Sequence, residues 1–153
     1  MKTPLIYLDT SVIGGCFDIE FAKWSNGLFT DIKNGFFKVA TSDIVIAELY
    51  NAPDNVKLKY RELYDYDLVK FEIDSNVEML TDAYLGHKIL TQKFKSDMAH
   101  IALATVHNAD ILVSWNFKHI VHYEKIAKFN AVNIEYGFRQ LTIHSPREVT
   151  SYE

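Results

Sequence analysis

The sequence predicts an α/β protein built around a central, mostly parallel sheet of about five strands. Two observations carry this prediction. Strand and helix patterns alternate along the whole chain, and such alternation is typical of parallel sheets whose strands are connected by helices. The first strand, residues 4–8, is apolar throughout, as expected for a strand at the buried centre of a parallel sheet.

The remaining elements follow in order along the chain. Four further strands are predicted from short apolar runs at residues 36–40, 68–71, 111–113 and 140–143. Helices are predicted from apolar residues at helical spacing over about residues 20–34, 44–49, 56–66, 77–86, 97–105 and 123–132. Residues at the helix boundaries support these limits: Asn34-Gly35 ends the first helix, and Ser42, Asp74 and Ser96 are suitable N-caps for later ones.

Length and composition indicate one domain, residues 1–153. The chain has 153 residues, of which 48% are hydrophobic, enough for one sizeable core. The single cysteine, Cys16, excludes an internal disulfide and is interpreted as a small buried hydrophobic residue. No long apolar segment follows Met1, so we expect a cytoplasmic protein without a membrane span.

The net charge of −4 argues against a protein that binds nucleic acid through bulk electrostatic attraction. A local basic strip is still compatible with the sequence, because lysines cluster before Asp97 and after the fourth strand. An ordinary solvated surface explains these lysines equally well.

Polar residues at strand and helix ends provide the candidate chemistry. Asp9 ends the first strand, Asp97 lies at the start of a helix, Glu48 lies on another helix, and Asn116 follows the fourth strand. In open α/β sheets, ligands bind beyond the carboxyl ends of the strands. A carboxylate that ends a buried strand is costly unless something pairs with it. Three carboxylates at one edge are therefore predicted to hold a hard divalent cation such as Mg²⁺ or Mn²⁺.

Four segments in this order resemble the motifs of PIN-domain proteins, in particular the VapC-like toxin ribonucleases. They contain Asp9-Thr10-Ser11, Ala47-Glu48-Leu49, Asp97 with the apolar helix after it, and Ser114-Trp115-Asn116. The full segments are residues 8–13, 42–49, 97–105 and 109–119. The resemblance covers most of the chain and implies a three-layer α/β/α PIN-like fold.

The resemblance also implies a function. PIN-domain proteins are associated with metal-dependent cleavage of single-stranded RNA, and many small members are the toxins of toxin–antitoxin pairs and form dimers. Asp9, Glu48 and Asp97 match the first three acids of the family's metal site. The implied reaction is attack on a phosphodiester by a water that Mg²⁺ or Mn²⁺ orients and acidifies, without a protein nucleophile. An antitoxin protein is the implied partner.

This sequence departs from the family pattern at the fourth position, where many members have Asp and this chain has Asn116. An amide oxygen can bind a metal or hydrogen-bond a water, but it brings no charge. We therefore predict one tightly held ion in the free protein, with Asn116 completing the catalytic set of Asp9, Glu48 and Asp97.

Six further residues are candidates for substrate contacts or for steadying the acids, although turn, cap or structural roles explain them too. They are Thr10, Ser11, Ser114, His100, Lys118 and His119. The histidines do not form a zinc pattern, and the aromatic residues, including Trp115, are assigned mainly to core packing.

Other classes of protein fit the sequence less well. A haloacid dehalogenase-type enzyme needs a second Asp at the position of Ser11, and a receiver-type module needs an acidic pair ahead of Asp9. Gly14-Gly15 is only a fragment of a dinucleotide-binding turn. The main alternative is a PIN-like domain that binds RNA or a protein without cutting, since Asn116 replaces an acid.

Overall fold

The computed structural model describes residues 2–151 and contains a five-stranded, all-parallel sheet with the order β3-β2-β1-β4-β5. Helices flank the sheet and complete three α/β/α layers. The fold class predicted from the sequence is therefore confirmed.

The elements have the following bounds. The strands are β1 Leu5–Leu8, β2 Lys38–Ser42, β3 Val69–Phe71, β4 Ile111–Val113 and β5 Thr142–His144. The helices are α1 Thr10–Gly15, α2 Ala22–Lys33, α3 Asp43–Glu48, α4 Asp54–Glu62, α5 Ser75–Gly86, α6 Lys95–Val106, α7 Tyr123–Glu135 and α8 Pro146–Val149. Two 3₁₀ turns cover Leu63–Tyr66 and Gln92–Phe94.

Strand β1 lies at the centre of the sheet, between β2 and β4. Tyr7 is in register with Ala40 on one side and with Leu112 on the other. All three side chains are fully buried, which explains why β1 is apolar along its length. Because every pair of strands is parallel, the ends of β1, β2 and β4 meet at one edge, where Asp9 follows β1.

Helix α1 was not predicted, because a six-residue helix that contains Gly14 and Gly15 gives little helical signal. Gly15 has a packing role. A Cβ added there would lie 2.7 Å from both Ser25 Oγ and Trp115 Nε1, so α1 approaches Trp115 closely only because residue 15 is a glycine. Helix α8 was also missed, although Ser145 and Glu148 form a capping box there.

One predicted helix cap is wrong, and another is correct in position but does not bond through its side chain. Helix α6 begins at Lys95 with Phe94 as its N-cap, so Ser96 lies inside the helix. Ser42 occupies the N-cap position of α3, but its side chain makes no cap hydrogen bond and is bonded to Tyr7 instead. Asp97 still lies in the first turn of α6, where the helix dipole favours an acid.

The packing roles assigned to Cys16 and Trp115 agree with the structure. Both side chains are buried, and burial raises the pKa of the Cys16 thiol to about 11. The Trp115 ring stacks on Phe21 with centroids 4.1 Å apart. None of the helices within residues 2–151 combines the length and hydropathy that a membrane crossing requires.

Candidate active site

Asp9 occupies the end of β1 and the N-cap position of α1, and it is buried. Each of its carboxylate oxygens accepts a hydrogen bond from a serine. Ser11 Oγ donates to Oδ1 at 2.5 Å, and Ser114 Oγ donates to Oδ2 at 2.6 Å. The structure thus brings the first and fourth motifs together around one buried carboxylate.

The two serines also fix the loop that follows β4. Ser11 Oγ accepts the backbone N–H of Trp115 at 2.9 Å, and Ser114 Oγ accepts that of Asn116 at 2.9 Å. Each hydroxyl therefore donates to Asp9 while accepting from the loop, which sets the direction of both hydrogen bonds. Ser11 and Ser114 position Asp9, which is one of the two roles that the sequence left open for them.

Glu48 is the last residue of α3, and its side chain is partly exposed. Its Oε1 accepts from Thr10 Oγ1 at 2.7 Å and from His100 Nε2 at 2.6 Å. Thr10 directly follows Asp9 in sequence, so these contacts hold Glu48 beside the end of β1. Thr10 and His100 are therefore contacts of a candidate catalytic acid.

A buried hydrogen-bonded chain continues from His100 into the core. His100 Nδ1 lies 2.7 Å from the Tyr7 hydroxyl, which lies 2.7 Å from Ser42 Oγ. His100 thus connects the Glu48 carboxylate at Nε2 with the Tyr7 hydroxyl at Nδ1. Tyr7 and Ser42 were not predicted as site residues. The available signal was a single hydroxyl-bearing residue, Tyr7, inside an otherwise aliphatic strand.

Asp97 is bonded to a different histidine. His119 Nδ1 donates to Asp97 Oδ2 at 2.9 Å, and the backbone N–H of His119 donates to Asn116 Oδ1 at 3.0 Å. The His119 ring also packs on Phe94, with centroids 3.9 Å apart. Lys118, by contrast, is exposed and makes none of these contacts.

The pKa values of Asp9 and Glu48 shift in opposite directions. Burial, the largest effect, raises the pKa of Asp9, and the negative charge of Glu48 adds to the rise, while His100 and the two serine hydroxyls oppose it. For Glu48, desolvation also raises the pKa, but the hydrogen bonds and charge of His100, with the hydroxyl of Thr10, outweigh it and lower the pKa. Glu48 is thus close enough to Asp9 for its negative charge to raise the pKa of Asp9.

The arrangement is not a preassembled metal cage. Within residues 2–151, no three His, Cys, Asp or Glu side chains lie together in a way that would hold a metal ion. Asp9 and Glu48 are neighbours through Thr10 and His100, whereas Asp97 is bonded to His119. The donors are nevertheless of the right chemistry, because carboxylate oxygens are the ligands that Mg²⁺ and Mn²⁺ prefer.

No protein-family model and no curated protein matches the sequence, but solved structures share the fold. One is a chain from the crystal structure of VapBC2 from Rickettsia felis bound to a DNA fragment from their promoter, with 19% identity and a TM-score of 0.58. The match covers 92% of this chain and 98% of that chain.

Two further matches come from FitAB bound to an IR36 DNA fragment and from FitAcB of Neisseria gonorrhoeae. The first has 16% identity, a TM-score of 0.56, and coverage of 97% of this chain and 99% of that chain. The second has 15% identity, a TM-score of 0.55, and coverage of 94% and 99%. At these identities the likeness shows the fold, and the chain therefore has the three-layer α/β/α fold of VapC-like PIN-domain proteins, as its four motifs predicted.

Proposed function

We propose that the chain is a metal-dependent endoribonuclease that cleaves single-stranded RNA and is the toxin of a toxin–antitoxin pair. One observation carries the proposal. The buried Asp9 carboxylate lies at the carboxyl edge of a parallel sheet, beside Glu48, and receives hydrogen bonds from two uncharged hydroxyls. A buried anion held in this way is costly in the free protein, and a bound cation offsets that cost.

Asp9, Glu48 and Asp97 are the residues proposed to hold Mg²⁺ or Mn²⁺. Asp97 accepts from His119 through one carboxylate oxygen, Oδ2, and the other oxygen is the one proposed to bind the ion. Such an ion supplies an acidified water and neutralises charge on a phosphate. With Asn116 contributing an uncharged oxygen, we expect a single tightly held ion.

The protein's own residues supply positioning. Ser11 and Ser114 fix both oxygens of Asp9, and His100 with Thr10 fixes Glu48. Hydrogen bonds of this kind, from supporting residues to the acids, keep the reacting groups aligned. His119 holds Asp97 and is itself fixed through Asn116. Lys118, exposed in the same loop, is proposed to contact RNA phosphate.

An antitoxin protein is the proposed partner. The structures that share this fold include a VapBC complex, and the sequence motifs resemble the toxins of such pairs. A small reading frame beside the gene, encoding a DNA-binding protein that copurifies with this chain and blocks its activity, is the expected finding. We also propose a homodimer, which the mass of the purified protein in solution tests.

A domain that binds RNA or protein without cutting is the second candidate function. Two features favour it. Asn116 brings no charge, and Asp97 is hydrogen-bonded to His119, apart from the Thr10 and His100 contacts that hold Glu48 beside Asp9. Binding of RNA without cleavage in either Mg²⁺ or Mn²⁺ is the result that this alternative predicts.

The deciding experiment incubates the purified protein with labelled tRNA, rRNA and mRNA fragments, with and without Mn²⁺. The nuclease proposal expects cleavage that EDTA abolishes and that an Asp97→Asn variant lacks. An exposed acid at the opposite edge of the sheet, Asp67 just before β3, gives the matched control Asp67→Asn, which should cleave like the wild type. Cleavage that survives both EDTA and Asp97→Asn would reject the proposal.

A further inference from the structure

Helix α4 and the 3₁₀ turn after it carry a regular stripe of cations and tyrosines. Lys57, Tyr60, Arg61 and Tyr64 are spaced i, i+3, i+4 and i+7, which places them on one helical face. The same four side chains line a surface groove that is completed by Ile46, Leu49 and Tyr50 from α3 and the turn that follows it.

The tyrosines of this groove differ in burial. Tyr50 and Tyr64 are 78% and 60% exposed, whereas Tyr60 is buried. The Tyr60 hydroxyl lies 3.2 Å from Thr41 Oγ1 and 3.4 Å from the Tyr64 hydroxyl, and the two tyrosine rings meet edge to face. Tyr60 thus fixes Tyr64 from below and leaves two rings, Tyr50 and Tyr64, available to a ligand.

The two cations of the stripe, Lys57 and Arg61, differ from their neighbour Lys59 in their side-chain contacts. Lys59 pairs with Glu62 at 3.3 Å and lies over the Phe29 ring. Among residues 2–151, Lys57 and Arg61 form neither an ion pair nor a cation–π contact. In a chain of net charge −4, Lys57 and Arg61 thus place two unpaired positive charges beside two exposed tyrosine rings.

The groove is adjacent in the fold to the candidate active site. Its α3 wall belongs to the same helix that ends at Glu48. Its floor residue Tyr60 is bonded to Thr41, which is next to Ser42 in β2 and therefore next to the Ser42–Tyr7–His100–Glu48 chain. The groove volume, about 280 Å³, is below the usual range of about 300–1,000 Å³ for enclosed small-molecule pockets. This suits part of a longer strand that crosses the surface.

We propose that Tyr50, Lys57, Arg61 and Tyr64 form a binding groove for single-stranded RNA that leads from the Glu48 side of the active site. The inference rests on the proposed function, because it takes RNA as the substrate. The exposed rings of Tyr50 and Tyr64 stack on bases, and Lys57 and Arg61 contact the phosphates between them. Interleaved rings and cations are the usual means of holding a single strand without reading its sequence.

The test measures binding of a labelled 12-nucleotide single-stranded RNA in EDTA, so that cleavage does not interfere. Tyr50→Ala with Tyr64→Ala removes both rings, and Tyr50→Phe with Tyr64→Phe keeps them. Lys57→Gln with Arg61→Gln removes both charges. The matched control is Tyr123→Ala with Lys128→Gln, an exposed tyrosine and an exposed lysine on α7. Thermal unfolding confirms that each variant is folded.

The expected result is at least about tenfold weaker binding by the double Ala variant, since each stacked base contributes appreciably to affinity. The double Phe and α7 variants should bind like the wild type. Removing two phosphate contacts should reduce the slope of log K against log salt concentration by about 1.4, because each contact on a single strand contributes about 0.7. RNA carrying 5-iodouridine should crosslink to Tyr50 or Tyr64 on irradiation.

Groove variants that bind RNA like the α7 control, or crosslinks confined to other surfaces, would overturn the proposal. It would also be overturned if these substitutions left RNA binding unchanged but dissociated a dimer of the wild type, since a second copy would then occupy the groove. Failure of the groove is separable from failure of the nuclease. If the wild type cleaves RNA but the groove variants bind RNA as tightly as the wild type, only the groove proposal is rejected. If the groove variants bind RNA more weakly but the wild type does not cleave it, only the nuclease proposal is rejected.

Discussion

The Asp9 side and the Glu48 side of the site hold their carboxylates in opposite ways. Asp9 is buried and bonded to two neutral hydroxyls, and its pKa is raised. Glu48 is partly exposed and bonded to a histidine, and its pKa is lowered. Asp97 resembles Glu48 in being bonded to a histidine, His119.

This difference predicts different roles for Asp9 and for the two histidine-bonded acids, Glu48 and Asp97. The hydroxyls around Asp9 fix its geometry without neutralising its charge, so Asp9 gains most from a cation. The histidines beside Glu48 and Asp97 hold these acids in place, each through a single carboxylate oxygen. We therefore expect Asp9 to be the principal ligand and the two histidine-bonded acids to complete the site when an ion binds.

The largest expected effect is that of Asp9→Asn, which removes the un-neutralised charge. Metal-dependent cleavage of RNA should fall to background, because the amide keeps the shape of the side chain but does not supply the anionic ligand. Cleavage assays in Mn²⁺ measure this, with the exposed Asp67→Asn variant as the control. Full cleavage by folded Asp9→Asn protein would show that the buried carboxylate is structural.

The next effect concerns the Glu48 side, through His100→Ala. Loss of the contact that orients Glu48 should weaken Mn²⁺ binding about 10–100-fold, which is typical for residues that support metal ligands. Titration calorimetry with Mn²⁺ measures the affinity without reference to RNA. His100→Gln, which retains a donor, should restore part of it, and the exposed His87→Ala should have no effect. An increase in affinity would show that His100 only competes with the ion.

Ser114→Ala tests the hydroxyl support of Asp9. The buried carboxylate loses one hydrogen bond and the N–H of Asn116 loses its acceptor. We expect a decrease in the free energy of unfolding of about 1.5–3 kcal/mol, the usual contribution of a hydrogen bond to a charged group. Urea denaturation measures this, with the exposed Ser96→Ala as the control. A change no larger than that of the control would contradict the assigned contact.

The opposite pKa shifts predict opposite pH dependences of stability. Asp9 has a raised pKa when folded, so the folded state holds its proton at pH values where the unfolded chain has lost it. Its contribution to stability therefore falls as pH rises above about 4 toward the folded pKa, by up to about 1.4 kcal/mol per pH unit. Glu48 has a lowered pKa, so its contribution is present above the unfolded value and is lost as pH falls through the folded pKa.

Urea denaturation of the metal-free protein across pH separates these contributions. Relative to Asp9→Asn, the wild type should lose stability as pH rises. Relative to Glu48→Gln, it should lose stability as pH falls. If the difference in free energy of unfolding between the wild type and each variant changed with pH in the same direction for both variants, the opposite pKa shifts would be contradicted.

The smallest effect is expected for Asn116→Asp. Asn116 Oδ1 accepts the backbone N–H of His119, and a carboxylate retains that acceptor while adding a negative charge. Metal analysis should show one tightly bound Mn²⁺ in the wild type and tighter or additional binding in the variant. Two fully occupied ions in the wild type without RNA would contradict the prediction of a single ion.

The sequence by itself determined the fold and the positions of the candidate acids along the chain. The apolar strands and the spacing of the helices are local signals, because each depends on residues close together in sequence. They placed Asp9 after β1 and Asp97 in the first turn of α6 without reference to the rest of the molecule. The elements missed are α1, a six-residue helix whose two glycines give little helical signal, and α8, whose four residues are too few to show a periodic pattern.

Tertiary structure alone decided which side chains meet. Tyr7 and His100 are 93 residues apart in sequence, and Ser114 and Asp9 are 105 apart, yet both pairs are in hydrogen-bond contact. The parallel register of β1 between β2 and β4, and the packing of helices against that sheet, bring them together. Local periodicity contains no information about such pairs, because burial of the whole sheet fixes the register. The division between a hydroxyl-bonded Asp9 and histidine-bonded Glu48 and Asp97 therefore exists only in the folded chain.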